Sequence, residues 1–174
     1  MSYEFRVAQS TEAQAIADLV NSAYRGESSR KGWTTEADLL GGQRIDASGI
    51  CEIIKQENGA LLLAIESEKI MGCVHVRKIS SHTAYLGMLT VAPDQQSKGL
   101  GKLLLQATEK FCSTQWHCSE MEMTVITSRD ELINWYKRRN YELTGETRPF
   151  PMDDPKFGIP LVLNIEFSVL KKKI

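Results

Sequence analysis

The chain has 174 residues, of which 42% are hydrophobic and 25% are charged, and its formal net charge is −1. This composition is typical of a globular protein and excludes a disordered or fibrous chain. With 21 basic and 22 acidic side chains, it also lacks the strong basic excess of a dedicated nucleic-acid-binding protein. The length predicts a single domain over residues 1–174.

Neither a membrane-spanning segment nor a secretion signal is predicted. No apolar run approaches the roughly 18 residues that a helical membrane span needs. Residues 1–6 lack the apolar stretch of a secretion signal. We therefore expect a soluble, cytoplasmic protein that has no membrane partner.

The cysteine pattern favours packing over chemistry. The four cysteines include no CxxC pair, and in a reducing compartment such residues usually fill the core. Cys112, His117 and Cys118 lie close together in the sequence, but their spacing matches no zinc-binding pattern. The sequence predicts no metal site.

Hydrophobic periodicity predicts both strands and helices in the first half of the chain. A capping box at Thr11 and Gln14 opens a helix that ends at Gly26. Short helical segments are expected within 26–43 and near 50–54. The predicted strands cover 3–8, 60–65, 70–79 and 84–91. Short polar turns join the last three strands, which indicates an antiparallel meander.

The second half continues the pattern with longer helices. Helices are predicted over 99–116 and 128–139, and strands over 121–126, from 141 onward, and over 161–169. The expected fold class is therefore α/β, with a mixed, mainly antiparallel sheet of about seven strands and helices on both faces.

The turn after the meander carries the clearest chemical signal. A strand ends at Val91, and the following helix opens with Gln96, Gly99 and Gly101. N–H groups in a first helical turn lack intrahelical acceptors, and the helix dipole adds positive charge there. Because glycine has no Cβ to hold a phosphate away from the backbone, this segment predicts a pyrophosphate cradle over 96–101. Its spacing matches neither a Walker loop nor a dinucleotide fingerprint.

The longer pattern Leu-x-Val-x-Pro, followed by Gln96-x-x-Gly99-x-Gly101 and an amphipathic helix, resembles the acyl-CoA-binding motif of the GNAT N-acetyltransferase superfamily. Residues 134–141, Asn-Trp-Tyr-Lys-Arg-Arg-Asn-Tyr, are similar to the second motif of that family. Asn140 stands where glycine is common, and asparagine tolerates the left-handed conformation that ends a helix. The resemblance covers residues 5–169 and is strongest over 86–141.

The resemblance implies that acetyl-CoA is the co-substrate and that a primary amine, on a small molecule or a protein, attacks it directly in a ternary complex. The residues implied to contact acetyl-CoA are Leu89, Thr90, Val91, Gln96, Ser97, Lys98, Gly99, Leu100, Gly101, Lys102, Asn134 and Tyr136. The backbone N–H of Leu89 is suited to stabilise negative charge on the thioester oxygen. Tyr136 is implied to protonate the leaving thiolate. A homodimer is common in the family, so the resemblance allows one here.

Several of these functional assignments have an alternative interpretation that the sequence leaves open. Tyr136 is either the catalytic acid or a core residue, and Asn134 is either a cofactor contact or a solvated helix residue. The chain as a whole is either an acetyltransferase or a non-catalytic acyl-CoA-binding or regulatory domain. A protein–protein scaffold is a third reading, but scaffolding does not require glycines at a helix start.

The acceptor side is less defined. The strand before the CoA motif carries no carboxylate, so the general base is Glu122, His75 or a water held by backbone groups. The early loops, which border the acceptor site in this family, contain the predicted substrate residues Trp33 and Arg44. Arg44 either binds a substrate carboxylate through its planar guanidinium or forms a surface ion pair with Asp46 or Glu36.

Overall fold

Residues 3–174 are described by a computed structural model and fold around one large mixed β-sheet. The strands are β1 (Glu4–Val7), β2 (Leu40–Gly41), β3 (Gly59–Glu66), β4 (Lys69–Lys78), β5 (Thr83–Val91), β6 (Glu120–Ile126), β7 (Glu142–Pro149), β8 (Ile159–Pro160) and β9 (Glu166–Lys173). The α-helices are α1 (Ala13–Tyr24), α2 (Gly26–Ser29), α3 (Ala47–Ile54), α4 (Leu100–Trp116) and α5 (Asp130–Lys137). Within this range, seven strands form the sheet in the order β1-β3-β4-β5-β6-β9-β7, and β2 pairs with β8 separately.

The predicted fold class is confirmed, since the sheet is mixed and has helices on both faces. The β5–β6 pair is parallel, and the other neighbouring pairs of the sheet are antiparallel. In β3, Leu62 and Ala64 belong to the apolar cluster that holds α4 and α5. Leu61 and Leu63 belong to the cluster of α1 and α3 on the opposite face. Burial on both faces explains why β3 is apolar along its length rather than alternating.

A bulge in β5 separates this strand from β6. The parallel ladder between them ends at the pair Leu86–Met123, although both strands continue. Opposite β4, two residues of β5, Met88 and Leu89, face the single residue Val74, and Met88 adopts a φ of +52°. An extra residue of this kind bends its strand and ends the pairing. Because β6 continues beside β9, a cleft opens between β5 and β6 beyond Leu86.

Two sequence predictions about element ends were wrong. The last strand is β9 rather than 161–169, because Leu163 is 85% exposed and the segment before β9 joins no ladder of the main sheet. A run of apolar residues does not by itself make a strand. The capping contact before α1 also differs, since the carboxylate of Glu12 accepts from the N–H of Gln9 at 2.8 Å and replaces the predicted Thr11–Gln14 pair.

Asn140 follows α5 with a φ of +67°, in agreement with its predicted left-handed conformation. Among the helices within residues 3–174, none has the length and apolar character that crossing a membrane requires.

Gly72 on β4 lies where the end of β5 and helix α4 come closest. A Cβ at this position would lie 2.8 Å from the carbonyl oxygen of Thr90 and 3.2 Å from Cδ2 of Leu104. We therefore predict that Gly72→Ala lowers the free energy of unfolding by about 1–3 kcal/mol, since backbone or helix must move. Urea denaturation measures this change.

Gly87→Ala is the matched control in the same sheet. Its Cβ would meet only Cε1 of Tyr85 at 3.5 Å, which is ordinary van der Waals contact. Its free energy of unfolding should therefore change by less than that of Gly72→Ala. Equal losses in the two variants would contradict the close packing of α4 on β4 and β5.

Candidate functional site

Two cavities meet in the cleft between β5 and β6. The large cavity has a volume of about 430 Å³ and the small cavity about 210 Å³. Both are lined by four residues that we call the junction: Tyr24, Leu89, Leu132 and Tyr136. The rest of the large cavity is lined by Trp33, Thr34, Val91, Gln96, Ser97, Gly99, Gly101, Lys102, Glu131, Trp135, Arg138 and Arg139.

The start of α4 presents main-chain donors to the large cavity. In the part of the chain that the structure describes, the N–H groups of residues 96–101 donate to no protein acceptor. Ser97 and Gly99 adopt φ values of +65° and +88°, which turn the chain into α4. A Cβ at Gly99 would meet nothing within 4 Å, so the backbone angle, rather than lack of space, favours glycine there. Free donors beside an open cavity fit a diphosphate group.

The side chains of the predicted cradle residues have different surroundings. Ser97, Gly101 and Lys102 line the large cavity. The side chain of Leu100 is fully buried in the core, so only its N–H is available to a ligand. Lys98 is exposed, and its ammonium donates to Oε1 of Gln95 at 3.3 Å. The motif therefore places the main chain of residues 96–101 beside the large cavity, whereas only some of its side chains line that cavity.

The side chain of Gln96 connects α4 to an early loop. Its Oε1 accepts from the N–H of Trp33 at 2.9 Å, and its Nε2 donates to Oγ1 of Thr34 at 2.8 Å and to the carbonyl of Val91 at 3.1 Å. A Cβ at Gly32 would lie 2.5 Å from Oε1 of Gln96, so the loop approaches closely. The carboxamide of Gln96 thus already has hydrogen-bond partners within the protein, and its main-chain N–H is the group available to a ligand.

Two tyrosines line the junction, and they differ in whether the hydroxyl donates a hydrogen bond to another residue of the described chain. The hydroxyl of Tyr24 donates to the carbonyl of Leu89 at 2.5 Å. The hydroxyl of Tyr136 has no hydrogen-bond partner among residues 3–174, although the residue is only 5% exposed. Burial raises the pKa of Tyr136 above its usual range and that of Tyr24 to about 12. Both phenols therefore stay protonated near neutral pH, and Tyr136 is the free donor.

The bulge leaves the backbone of Leu89 accessible from the cleft. Leu89 has no cross-strand partner in β4, and the ladder with β6 has already ended. Thr90, the next residue, pairs with Cys73, and its hydroxyl donates to the carbonyl of Met88 at 3.0 Å. Residues 89–91 thus present an unpaired strand edge toward β6, and Leu89 and Val91 also line the large cavity.

The chain matches the family model "Acetyltransferase (GNAT) family" over residues 14–141. It belongs to the GNAT acetyltransferase family. The solved structure of YncA from Salmonella typhimurium with its cofactor acetyl-CoA is similar at 16% identity and a TM-score of 0.70, covering 99% of this chain and 94% of that one. The ribosomal-protein-S18-alanine N-acetyltransferase of Escherichia coli is similar at 13% identity and a TM-score of 0.72, with the same coverage. A GNAT-family acetyltransferase of Streptococcus pneumoniae has 19% identity and a TM-score of 0.65, covering 99% of both chains.

Asn134 and Glu122, both predicted as site residues of this GNAT protein, are not brought to the cavities. Asn134 is exposed on α5 and lines neither cavity, which agrees with its alternative reading as a solvated helix residue. Glu122 is only 5% exposed but also lines neither cavity. Its carboxylate lies 2.7 Å from Nη1 of Arg148 and 3.5 Å from Nζ of Lys171. A carboxylate that is engaged in two ion pairs and lines neither cavity is not placed to accept a proton from a bound amine.

The early loops contribute to both cavities. Trp33, predicted as a substrate residue, lines the large cavity, where its ring centroid lies 6.3 Å from that of Trp135. Arg44 lines the small cavity together with Glu36. The carboxylate of Glu36 is bound by Arg25 at 2.6 Å and by Arg129 at 3.1 Å.

The predicted surface ion pair of Arg44 is not formed. Glu36 is bound by two other arginines, and the carboxylate of Asp46 accepts from the N–H of Gly49 at the start of α3. Within residues 3–174, the guanidinium of Arg44 therefore has no carboxylate partner. Over the same residues, no group of three or more His, Cys, Asp and Glu side chains is placed to hold a metal ion.

Sequence reasoning did not identify Tyr24, Arg25 or Arg129 as site residues. Tyr24 and Arg25 end α1, and Arg129 precedes α5. These positions look like ordinary helix ends in the sequence. They become part of the site only because the fold places both helix ends beside the cleft.

His75, the other predicted base, has a buried Nε2 with no partner among the described residues. Burial lowers its pKa to about 4, and the nearby charges of Arg77 and Arg44 add to this effect. The neutral imidazole is therefore present over the whole physiological range, and at this pKa it is too weak a base to collect the proton of an ammonium.

The lowered pKa of His75 predicts a pH dependence of stability. Below its ordinary pKa of 6.5 the unfolded chain binds a proton that the folded protein does not bind until about pH 4. The free energy of unfolding should therefore decrease as pH falls from 6.5 toward 4. We predict that His75→Gln reduces the stability loss between pH 7 and pH 4.5 by up to about 3 kcal/mol. Urea denaturation at the two pH values measures this, with the exposed His82→Gln as the control. The same pH-dependent loss in His75→Gln as in the unmodified protein would contradict the assignment.

Proposed function

We propose that this protein transfers an acetyl group from acetyl-CoA to a primary amine by direct attack within a ternary complex. The observation that carries the proposal is the junction, where a cavity with free main-chain donors meets a second cavity beside an uncommitted phenol. Membership of the GNAT family and the similarity to YncA, a protein with acetyl-CoA as its cofactor, support acetyl-CoA as the donor.

The residues of the large cavity fit the parts of acetyl-CoA. The N–H groups of residues 96–101 would bind the diphosphate, and the ammonium of Lys102 adds positive charge beside them. The open edge of residues 89–91 would bind the pantetheine arm as a strand binds its neighbour. When bound, acetyl-CoA supplies an activated acetyl thioester.

The chain's own contribution to the reaction is positioning and charge stabilisation. The amine nitrogen forms a bond to the acetyl carbon as the carbon–sulfur bond breaks. The N–H of Leu89 would stabilise negative charge on the carbonyl oxygen, and Tyr136 would protonate the departing sulfur. An amine that enters as an ammonium first gives one proton to solvent, because only the neutral nitrogen can attack. The nitrogen gives up a second proton as the amide forms. Since Glu122 and His75 are unsuited to accept this proton, water in the small cavity is proposed to carry it to the oxygen of Tyr136, which restores the phenol. Holding both reactants at the junction supplies much of the remaining rate.

Tyr136→Phe tests the proposed acid. Removing the phenol proton should lower kcat by about 10²-fold or more, because general acid catalysis usually contributes that much. The Kd for CoA should change little, since the cradle is intact. Thiol release with an amine panel and calorimetry with CoA measure the two effects.

Tyr141→Phe is the matched control for loss of a buried phenol. The hydroxyl of Tyr141 donates to Glu109 at 2.8 Å, and the residue lines neither cavity. Its kcat should stay near that of the unmodified protein. If Tyr136→Phe turned over at the same rate as Tyr141→Phe, the proposed acid would be wrong.

Gly99 offers a charge-specific test of the cradle. Both asparagine and aspartate tolerate its left-handed conformation, and the space around it is open, so the two variants differ mainly in charge. We predict that Gly99→Asp weakens CoA binding by roughly tenfold or more relative to Gly99→Asn, because a carboxylate repels the diphosphate. Calorimetry with CoA provides the comparison.

The non-catalytic alternative gives a different pattern. Gly99→Asp would still weaken CoA binding, but no amine in a broad panel would release thiol from the unmodified protein. Equal CoA affinity in Gly99→Asp and Gly99→Asn would place the diphosphate elsewhere and contradict both readings.

A further inference from the structure

The charges that line the small cavity are Glu36, Arg129 and Arg44. Glu36 and Arg129 form an ion pair at 3.1 Å, and the second guanidinium nitrogen of Arg129 donates to the carbonyl of Thr34 at 2.7 Å. The guanidinium of Arg44 has no such partner within residues 3–174. The small cavity therefore has one uncompensated positive charge in its lining, and Arg25 behind Glu36 adds a further cation nearby.

The backbone that carries Arg44 is fixed, whereas its side chain is not engaged. Oδ1 of Asn21 accepts from the N–H of Arg44 at 2.6 Å, and Nδ2 of Asn21 donates to the carbonyl of Ile45 at 2.7 Å. The carboxamide of Asn21 thus binds the backbone of two consecutive loop residues, Arg44 and Ile45. The backbone at Arg44 is therefore held while the guanidinium donors stay free for an incoming anion, so anion binding has to order only the side chain.

We propose that the acceptor is a small primary amine that also carries a carboxylate, and that Arg44 binds this carboxylate in the small cavity. This inference rests on the acetyl transfer proposed above. A guanidinium matches a carboxylate through two parallel hydrogen bonds, which gives both affinity and orientation. The bound carboxylate would leave the amine at the other end free to reach the junction.

Size and charge both restrict the acceptor. A volume of about 210 Å³ lies below the roughly 300–1,000 Å³ of sites that bind drug-sized ligands. A compound of amino-acid size fits this volume. A polyamine would bring several positive charges beside Arg44 without a carboxylate partner to compensate them, so repulsion disfavours it.

The experiment compares matched ligands that differ only in the carboxylate. CoA-loaded protein is titrated by calorimetry with the common L-amino acids and with the carboxamide of each. We expect at least one acid to bind tenfold or more tightly than its carboxamide. Arg44→Gln should remove that difference, and Arg44→Lys should restore part of it because the charge is kept while the bidentate geometry is lost.

Arg6→Gln is the matched control for loss of an arginine. Arg6 lies on the edge strand β1 and is paired with Glu12 at 2.6 Å, so this variant should keep the preference for the acid. Three results would overturn the inference: no acid binds more tightly than its carboxamide, the preference survives in Arg44→Gln, or spermidine or O-phosphoethanolamine binds more tightly than every acid.

Thiol release from acetyl-CoA, measured with the same compounds, separates this inference from the proposed function. Turnover of amines without a carboxylate, unchanged in Arg44→Gln, would reject the carboxylate site and leave acetyl transfer standing. Selective acid binding that depends on Arg44, without thiol release from any amine, would support the site and contradict acetyl transfer.

Discussion

The bulge in β5 is the constraint on which the rest of the site depends. A strand in the middle of a sheet normally has both edges hydrogen-bonded, which leaves no backbone for a ligand. The extra residue at Met88 and Leu89 ends the pairing with β6 while both strands continue. The resulting cleft exposes the strand edge of residues 89–91, and the two cavities meet in it. Without this bend, the donors at the start of α4 would face no cleft leading to Tyr136.

Interactions between distant segments hold the early loops against the cleft. Gln96 binds the backbone of residues 33 and 34, and Glu36 bridges Arg25 at the end of α1 to Arg129 before α5. These side chains are largely buried, so the loss of one partner would leave an uncompensated charge or polar group inside the protein. These contacts therefore connect residues 33–36 to Arg25, Gln96 and Arg129.

The proposed chemistry follows from which groups are committed and which are free. The hydroxyl of Tyr24 donates a hydrogen bond to the carbonyl of Leu89. Glu122 is ion-paired with Arg148 and Lys171, and Glu36 is ion-paired with two arginines. Among residues 3–174, the hydroxyl of Tyr136 at the junction and the guanidinium of Arg44 in the small cavity have no hydrogen-bond partner. A side chain whose donors and acceptors already have partners within the protein binds a ligand less well. We therefore assign the proposed roles to Tyr136 and Arg44.

The sequence by itself determined the α/β class, most of the strands and helices, and the glycine-containing turn into α4 at residues 96–101. These features depend on local periodicity and on glycines beside a helix start, which are properties of neighbouring residues. The tertiary structure alone decided that Asn134 faces solvent, that Glu122 is ion-paired and that Arg44 has no carboxylate partner within residues 3–174. It also brought Tyr24 to the junction. Those outcomes depend on contacts between residues far apart in the chain, and the spacing of residues in one segment does not encode which distant partner each side chain meets.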